Sequence, residues 1–128
     1  MSRRLWRYFY PNPLPEDEND CTVRAICAVT AQDWDTAYNQ LADTGFALRG
    51  MPSSDRVWGA LLHYMGFRRY AAPDWYPARY TVRQFCLDHP EGEFFVCPYQ
   101  HVAAVIDGVL WDSWCCLDKT VLFYWAAS

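Results

Sequence analysis

Asp107-Gly108 stands between two short apolar runs, His101–Ile106 and Val109–Asp112. A two-residue loop of this composition forms a tight turn and joins neighbouring antiparallel strands. It constrains the fold because the turn sets the register, and the register decides which side chains meet. With the dipeptide at the turn centre, Ile106 faces Val109, Val105 faces Leu110, Ala104 faces Trp111 and Ala103 faces Asp112. Continued without a bulge, the pairing brings Val102 opposite Ser113 and His101 opposite Trp114. Side chains alternate between the faces of a strand, so His101, Ala103, Val105, Leu110, Asp112 and Trp114 are expected on one face. His101 and Asp112 become diagonal neighbours about 7–8 Å apart, within reach of long side chains. The small Ala103 between them leaves room for the imidazole to lean toward the carboxylate.

The rest of the C-terminal part also reads as sheet, with a strand at Phe94–Cys97 ended by Pro98 and another at Thr120–Trp125. The preceding residues read as four helices by their apolar spacing. The first is expected from Cys21 to Ala31, capped by Asn19 or Asp20. Thr30 and Asp33 fit a capping box for a second helix that Gly45 would end. Ser53 or Ser54 caps a third, striped by Val57, Leu61, Tyr64 and Met65 and stopped by Gly66. Thr81 caps a fourth, with Val82, Phe85, Cys86 and His89 on one face. Phe67–Tyr70 reads as a short strand, Leu5–Tyr10 as an edge strand or arm, and Glu16-Asp17-Glu18 as an acidic surface loop. Helices first and antiparallel strands later define the α+β class. One domain over 1–128 is expected: an arm and loop over 1–18, a helical part over 19–90 and an antiparallel sheet over 93–126.

Composition narrows the function. The chain has 128 residues, 52% of them apolar and 18% aromatic, enough for a sizeable core. Its net charge is −4, and its basic pairs are Arg3-Arg4 and Arg68-Arg69, so no electrostatic footprint for nucleic acid is present. No segment approaches the roughly 18 apolar residues of a membrane span. The N-terminus is basic without an apolar core or a small-residue cleavage site, so no signal peptide and a cytoplasmic location are expected. Six cysteines without a Cys-x-x-Cys pair read as reduced thiols rather than as disulfides or a zinc site. No cofactor and no metal are expected.

Asn19-Asp20-Cys21-Thr22 opens the first helix and places a thiol in its first turn. Backbone N–H groups and the helix dipole favour the thiolate there. With His101 as acid–base group and Asp112 as its orienter, Cys21 has the partners of a nucleophile on a carbonyl carbon. The helix N–H groups would help to hold the oxyanion. Asp20 complicates this picture: a carboxylate beside the thiol raises its pKa, unless its charge is spent on backbone N–H groups as the N-cap.

Cys at a helix N-terminus, His opening a strand, and Asp112-Ser113-Trp114 on the next strand resemble the papain-like cysteine peptidase superfamily. The papain pattern has Asn before Ser-Trp, where this chain has Asp112. The stretches Asn19–Ile26 and His101–Gly108 are also similar to those of small phage and bacterial proteins of this kind. The resemblance spans residues 19–114. It implies a papain-like fold and cleavage of a peptide or isopeptide amide bond in a peptide or protein substrate by Cys21, His101 and Asp112. It also implies that Trp114 shields the His101–Asp112 bond from water. Papain-like enzymes supply an oxyanion Gln several residues before the cysteine; the sixth residue back here is Pro15, leaving Asn19 or Asn12 as candidates. A second reading is a papain-like binding module without turnover, for example a phage-encoded protein docking on a host protein. A redox or metal protein built on the cysteines ranks last. The edge strand near Leu5–Tyr10 and the aromatic surplus make a homodimer plausible.

Overall fold

A computed structural model describes residues 4–15 and 19–127. The acidic run Glu16-Asp17-Glu18 and the first three residues lie outside them. Among the described residues, four helices and six strands form a mixed α+β fold, in the order β1 (Trp6–Tyr8), α1 (Cys21–Thr30), α2 (Trp34–Leu48), α3 (Asp55–Tyr64), β2 (Phe67–Ala71), α4 (Val82–Asp88), β3 (Glu93–Cys97), β4 (Ala103–Ile106), β5 (Val109–Asp112) and β6 (Phe123–Ala127).

Local chemistry explains the helix ends. Ala31 adopts the left-handed conformation at φ 56° and closes α1. Thr30 stays inside α1 and donates its hydroxyl to the Ile26 carbonyl at 2.6 Å, so it does not cap α2. Asp33 does, accepting from the Thr36 amide at 2.8 Å. The expected end of α2 at Gly45 is also corrected: the helix runs on to Leu48. Gly45 serves a close approach instead, because a Cβ there would stand 2.7 Å from the Gly50 carbonyl oxygen. Ser54 and Thr81 cap α3 and α4. Met65 sits just beyond α3, and Gly66, at φ 97°, turns the chain into β2.

The strands join in one sheet of order β1-β5-β4-β3-β6-β2. All pairings are antiparallel except β1 with β5. The expected antiparallel sheet over 93–126 is thus the centre of a larger mixed one. β1 and β2, from earlier in the chain, add an edge strand at either side. The last strand begins at Phe123 rather than Thr120, since Val121 and Leu122 donate their amides to the Tyr80 and Cys97 carbonyls.

The hairpin has the register its turn dictates: Ile106 pairs with Val109, Val105 with Leu110 and Ala104 with Trp111. Asp107 and Gly108 have φ of 50° and 74°, the two positive values such a turn requires. β4 starts at Ala103, not at His101. Gln100 turns left-handed at φ 52°, and the His101 amide bonds back to the Pro98 carbonyl at 3.3 Å. His101 therefore precedes the ladder, which frees its side chain from strict alternation.

Alternation along the strands separates two cores. Phe95, Val102 and Ala104 join Ile26, Leu41, Trp58 and Leu62, so α1, α2 and α3 cover one face. Val96, Ala103, Val105 and Leu110 join Val82, Phe85 and Cys86 of α4 and the 116–121 segment on the other. No helix is long and apolar enough to cross a membrane, among the described residues.

Candidate active site

α1 crosses β4 and β5, and its N-terminal turn lies at the sheet end where His101 and Asp112 emerge. The half-buried Cys21 thiol lies there within the influence of the His101 imidazole. His101 Nε2 lies 2.7 Å from Asp112 Oδ2. The three expected residues thus meet, although they come from a helix, a loop and a strand.

Asp112 is 1% exposed and surrounded by donors. Its Oδ1 accepts from Arg24 Nε at 2.8 Å and from the Ser113 amide at 2.7 Å. Its Oδ2 takes the Cys116 thiol at 3.8 Å as well as His101. The strand β1 fixes its backbone: Trp6 Nε1 and the Phe9 amide both donate to the Asp112 carbonyl, at 3.2 and 2.9 Å. Such a carboxylate holds one orientation.

Arg24, one turn into α1, links this carboxylate to a second. Its Nη1 donates to Asp20 Oδ1 at 2.6 Å while its Nε holds Asp112. Asp20 Oδ2 accepts from Trp34 Nε1 at 2.8 Å and from Asn12 Nδ2 at 3.4 Å. Asp20 therefore stands at the N-cap position without capping through its side chain. The expected cap fails because a guanidinium and an indole hold the carboxylate elsewhere, so the first-turn amides of α1 keep no side-chain cap.

The electrostatics follow. Burial lowers the His101 pKa, but the hydrogen bond to Asp112, with smaller help from Cys116 and Cys21, outweighs it and raises the value to about 11. Burial raises the Cys21 pKa. The hydrogen bond and charge of His101 outweigh that, aided by the Val102 backbone and the Thr22 side chain, and bring it below 9.0. Burial keeps Cys116 raised and protonated, despite its bond to His101. One thiol on this imidazole is shifted toward thiolate and the other away from it.

Trp114 is 41% exposed, and its ring lies over His101 with centroids 4.8 Å apart. Of the two oxyanion candidates, Asn12 turns its amide nitrogen to Asp20, whereas Asn19 is exposed. Both line a cavity of about 570 Å³ beside the first turn of α1, with Leu14, Thr22, Trp34 and Tyr38. His101, Asp112 and Cys116 offer donor atoms within 4.8 Å of one another, a grouping that could hold a metal ion. A cation there would displace the hydrogen bonds among the three and face the Arg24 guanidinium on Asp112. All six cysteines are free thiols.

Sequence reasoning missed Arg24, Cys116 and the β1 clamp. Asp20 and Arg24 are four apart on one helix, a spacing that signals a pair. Nothing local ties Arg24 to Asp112, or β1 to β5. Comparisons with protein-family models, with curated proteins and with solved structures found no match.

Proposed function

We propose that this protein is a papain-like thiol hydrolase that cleaves an amide bond of a peptide or protein substrate. The observation that carries the reading is the line Cys21, His101, Asp112: a thiol at a helix N-terminus that interacts with an imidazole whose Nε2 is 2.7 Å from a buried carboxylate. The Cys21 thiolate attacks the carbonyl carbon, and the resulting oxyanion meets the uncapped amides of α1, with Asn19 at the cavity edge. The imidazolium of His101 gives its proton to the leaving amine as the carbon–nitrogen bond breaks, leaving a thioester on Cys21. Water, deprotonated by His101, then attacks the thioester, releases the carboxylic acid and restores the thiol. The cavity of about 570 Å³ beside α1 is large enough to receive substrate side chains. Free thiols suit a reducing compartment, in line with a cytoplasmic protein.

The test is alkylation of Cys21 by iodoacetamide against pH, read by mass spectrometry of the Cys21 peptide, followed by hydrolysis of a fluorogenic peptide library. Fast alkylation at pH 7 that His101→Ala slows at least tenfold is expected, with turnover lost in Cys21→Ala. A Cys21 that reacts as slowly as an ordinary thiol of pKa about 8.5 overturns the reading. The second reading, a binding module without turnover, draws on one observation: the Asn12 amide nitrogen is turned to Asp20 rather than offered to an oxyanion. Reactive Cys21 without hydrolysis of any library member favours it.

A further inference from the structure

A carboxylate next to a nucleophilic thiol opposes its ionisation, and Asp20 directly precedes Cys21. Asp20 is 8% exposed, Arg24 4% and Asp112 1%, so these three charges interact with little solvent screening. Arg24 touches both carboxylates, at 2.6 and 2.8 Å, through two different nitrogens of one planar group. A guanidinium is the side chain suited to this task, because it stays charged and presents its donors in a fixed fork.

We propose that Arg24 is a positioning residue that cancels the Asp20 carboxylate beside Cys21 and holds Asp112 in place for His101, so that one buried guanidinium sets the pH range over which the nucleophile is ionised. This rests on the hydrolase reading above and deepens it. A second consequence follows from the same contacts: by drawing Asp20 away from the helix amides, Arg24 leaves those donors for an oxyanion.

The groups that bear on this ionisation come from several elements. α1 contributes Asp20, Arg24 and Cys21 itself. The loop before β4 contributes His101, the end of β5 contributes Asp112, the following segment contributes Cys116, and β3 contributes Cys97, whose thiol is coupled by charge to Cys21. Trp34 and Asn12 add neutral donors to Asp20. Within this set Asp20 is the charge that can be changed without touching Cys21, His101 or Asp112.

The experiment is the pH profile of Cys21 alkylation by iodoacetamide in the full chain carrying D20N, R24Q, R24K or D20N with R24Q. Removing the negative charge in D20N is expected to move the acid limb of the profile down, and removing the positive charge in R24Q to move it up. Each shift is on the order of one pH unit, as for a single charge at close range. The double variant, with the same net charge as the wild type, is expected to return toward the wild-type limb. R24K keeps the charge but loses the fork, so it is expected to keep the position of the limb while lowering the rate. A merely structural Arg24 lowers rates in all of these without moving the limb in opposite directions.

D20N removes no buried cation, so it carries the test even where R24Q does not fold. A D20N limb that stays within about 0.2 pH unit of wild type overturns the proposal, being well short of the expected single-charge shift. A wild-type Cys21 that titrates like an ordinary thiol fells the hydrolase reading and this proposal together. A reactive wild-type Cys21 whose limb ignores both D20N and R24Q fells this proposal alone.

Discussion

His101 Nε2 stands 2.7 Å from Asp112 Oδ2, although His101 lies in the loop before β4 and Asp112 closes β5. The contact is the product of a turn that sets register and of a loop that releases His101 from the ladder. Asp112 is the hub, because Arg24, Ser113 and Cys116 converge on the same carboxylate.

Asp112→Asn is expected to return Cys21 alkylation at pH 7 to the rate of an ordinary thiol, because His101 loses the anion that keeps it protonated. It also leaves the buried Arg24 with one anionic partner fewer. Removing one member of a buried ion pair costs about 3–5 kcal/mol, and urea unfolding checks that figure. A variant of full stability and full reactivity would contradict the hub role of this carboxylate.

Trp114→Ala tests shielding. The ring is 41% exposed and lies over His101, so its removal takes little from the core. The expected outcome is a several-fold slower Cys21 alkylation at pH 7 with a loss in stability below about 1 kcal/mol, since the deletion is at the surface. Unchanged alkylation would show that water at the His101–Asp112 bond is harmless.

Stability should hold from neutral pH and fall at alkaline pH, and the sign follows from the shifted groups. His101 has a folded pKa raised to about 11 against an ordinary 6.5. Its contribution is full below the ordinary value and drains as the pH climbs toward the folded one. Cys27, raised to about 11 by burial and then by the charges of Asp33 and Asp20, acts with the same sign above pH 9, as does Cys97, raised by burial. Cys21, lowered from 9.0, acts oppositely: its contribution is present above that value and is lost as the pH falls through its folded pKa. Thermal unfolding should show a midpoint nearly level from about pH 7 to about pH 9, where the proton His101 gives up on unfolding is matched by the one Cys21 takes up, and declining above about pH 9, where that match ends and the buried thiols join. Cys21→Ala removes the compensating proton uptake and should bring the start of the decline down to about pH 7. A Cys21→Ala midpoint that stays level from about pH 7 to about pH 9 would contradict a protonated His101.

Gly45→Ala checks the close approach of α2 to the following loop. The added methyl meets the Gly50 carbonyl oxygen at 2.7 Å, a backbone atom that cannot rotate away. A loss of about 1–3 kcal/mol in urea unfolding is expected from such overpacking, in spite of the better helix propensity of alanine.

Much of the fold was legible because its signals are local. The Asp107-Gly108 turn, the caps Ser54 and Thr81 and the apolar stripes of four helices depend on residues a few positions apart. Where local signals competed, the reading slipped. Thr30 offered a cap and lost to Asp33, and Gly45 resembled a stop but answered a packing need. In the site, Cys21, His101 and Asp112 could be singled out from a helix start and a hairpin, and the structure brings them together.

By itself the sequence determined the hairpin register, the class of fold and the thiol at a helix start, since backbone sterics and side-chain periodicity act over short stretches. Tertiary structure alone decided that β1 runs parallel to β5 and grips the Asp112 carbonyl, that Cys116 reaches the same carboxylate, and that Arg24 binds two acids 92 residues apart in the chain at 2.6 and 2.8 Å. Those contacts arise from laying α1 across the sheet end. Buried charges must then find partners among whatever groups the packing has brought near, and no sequence spacing announces which they will be.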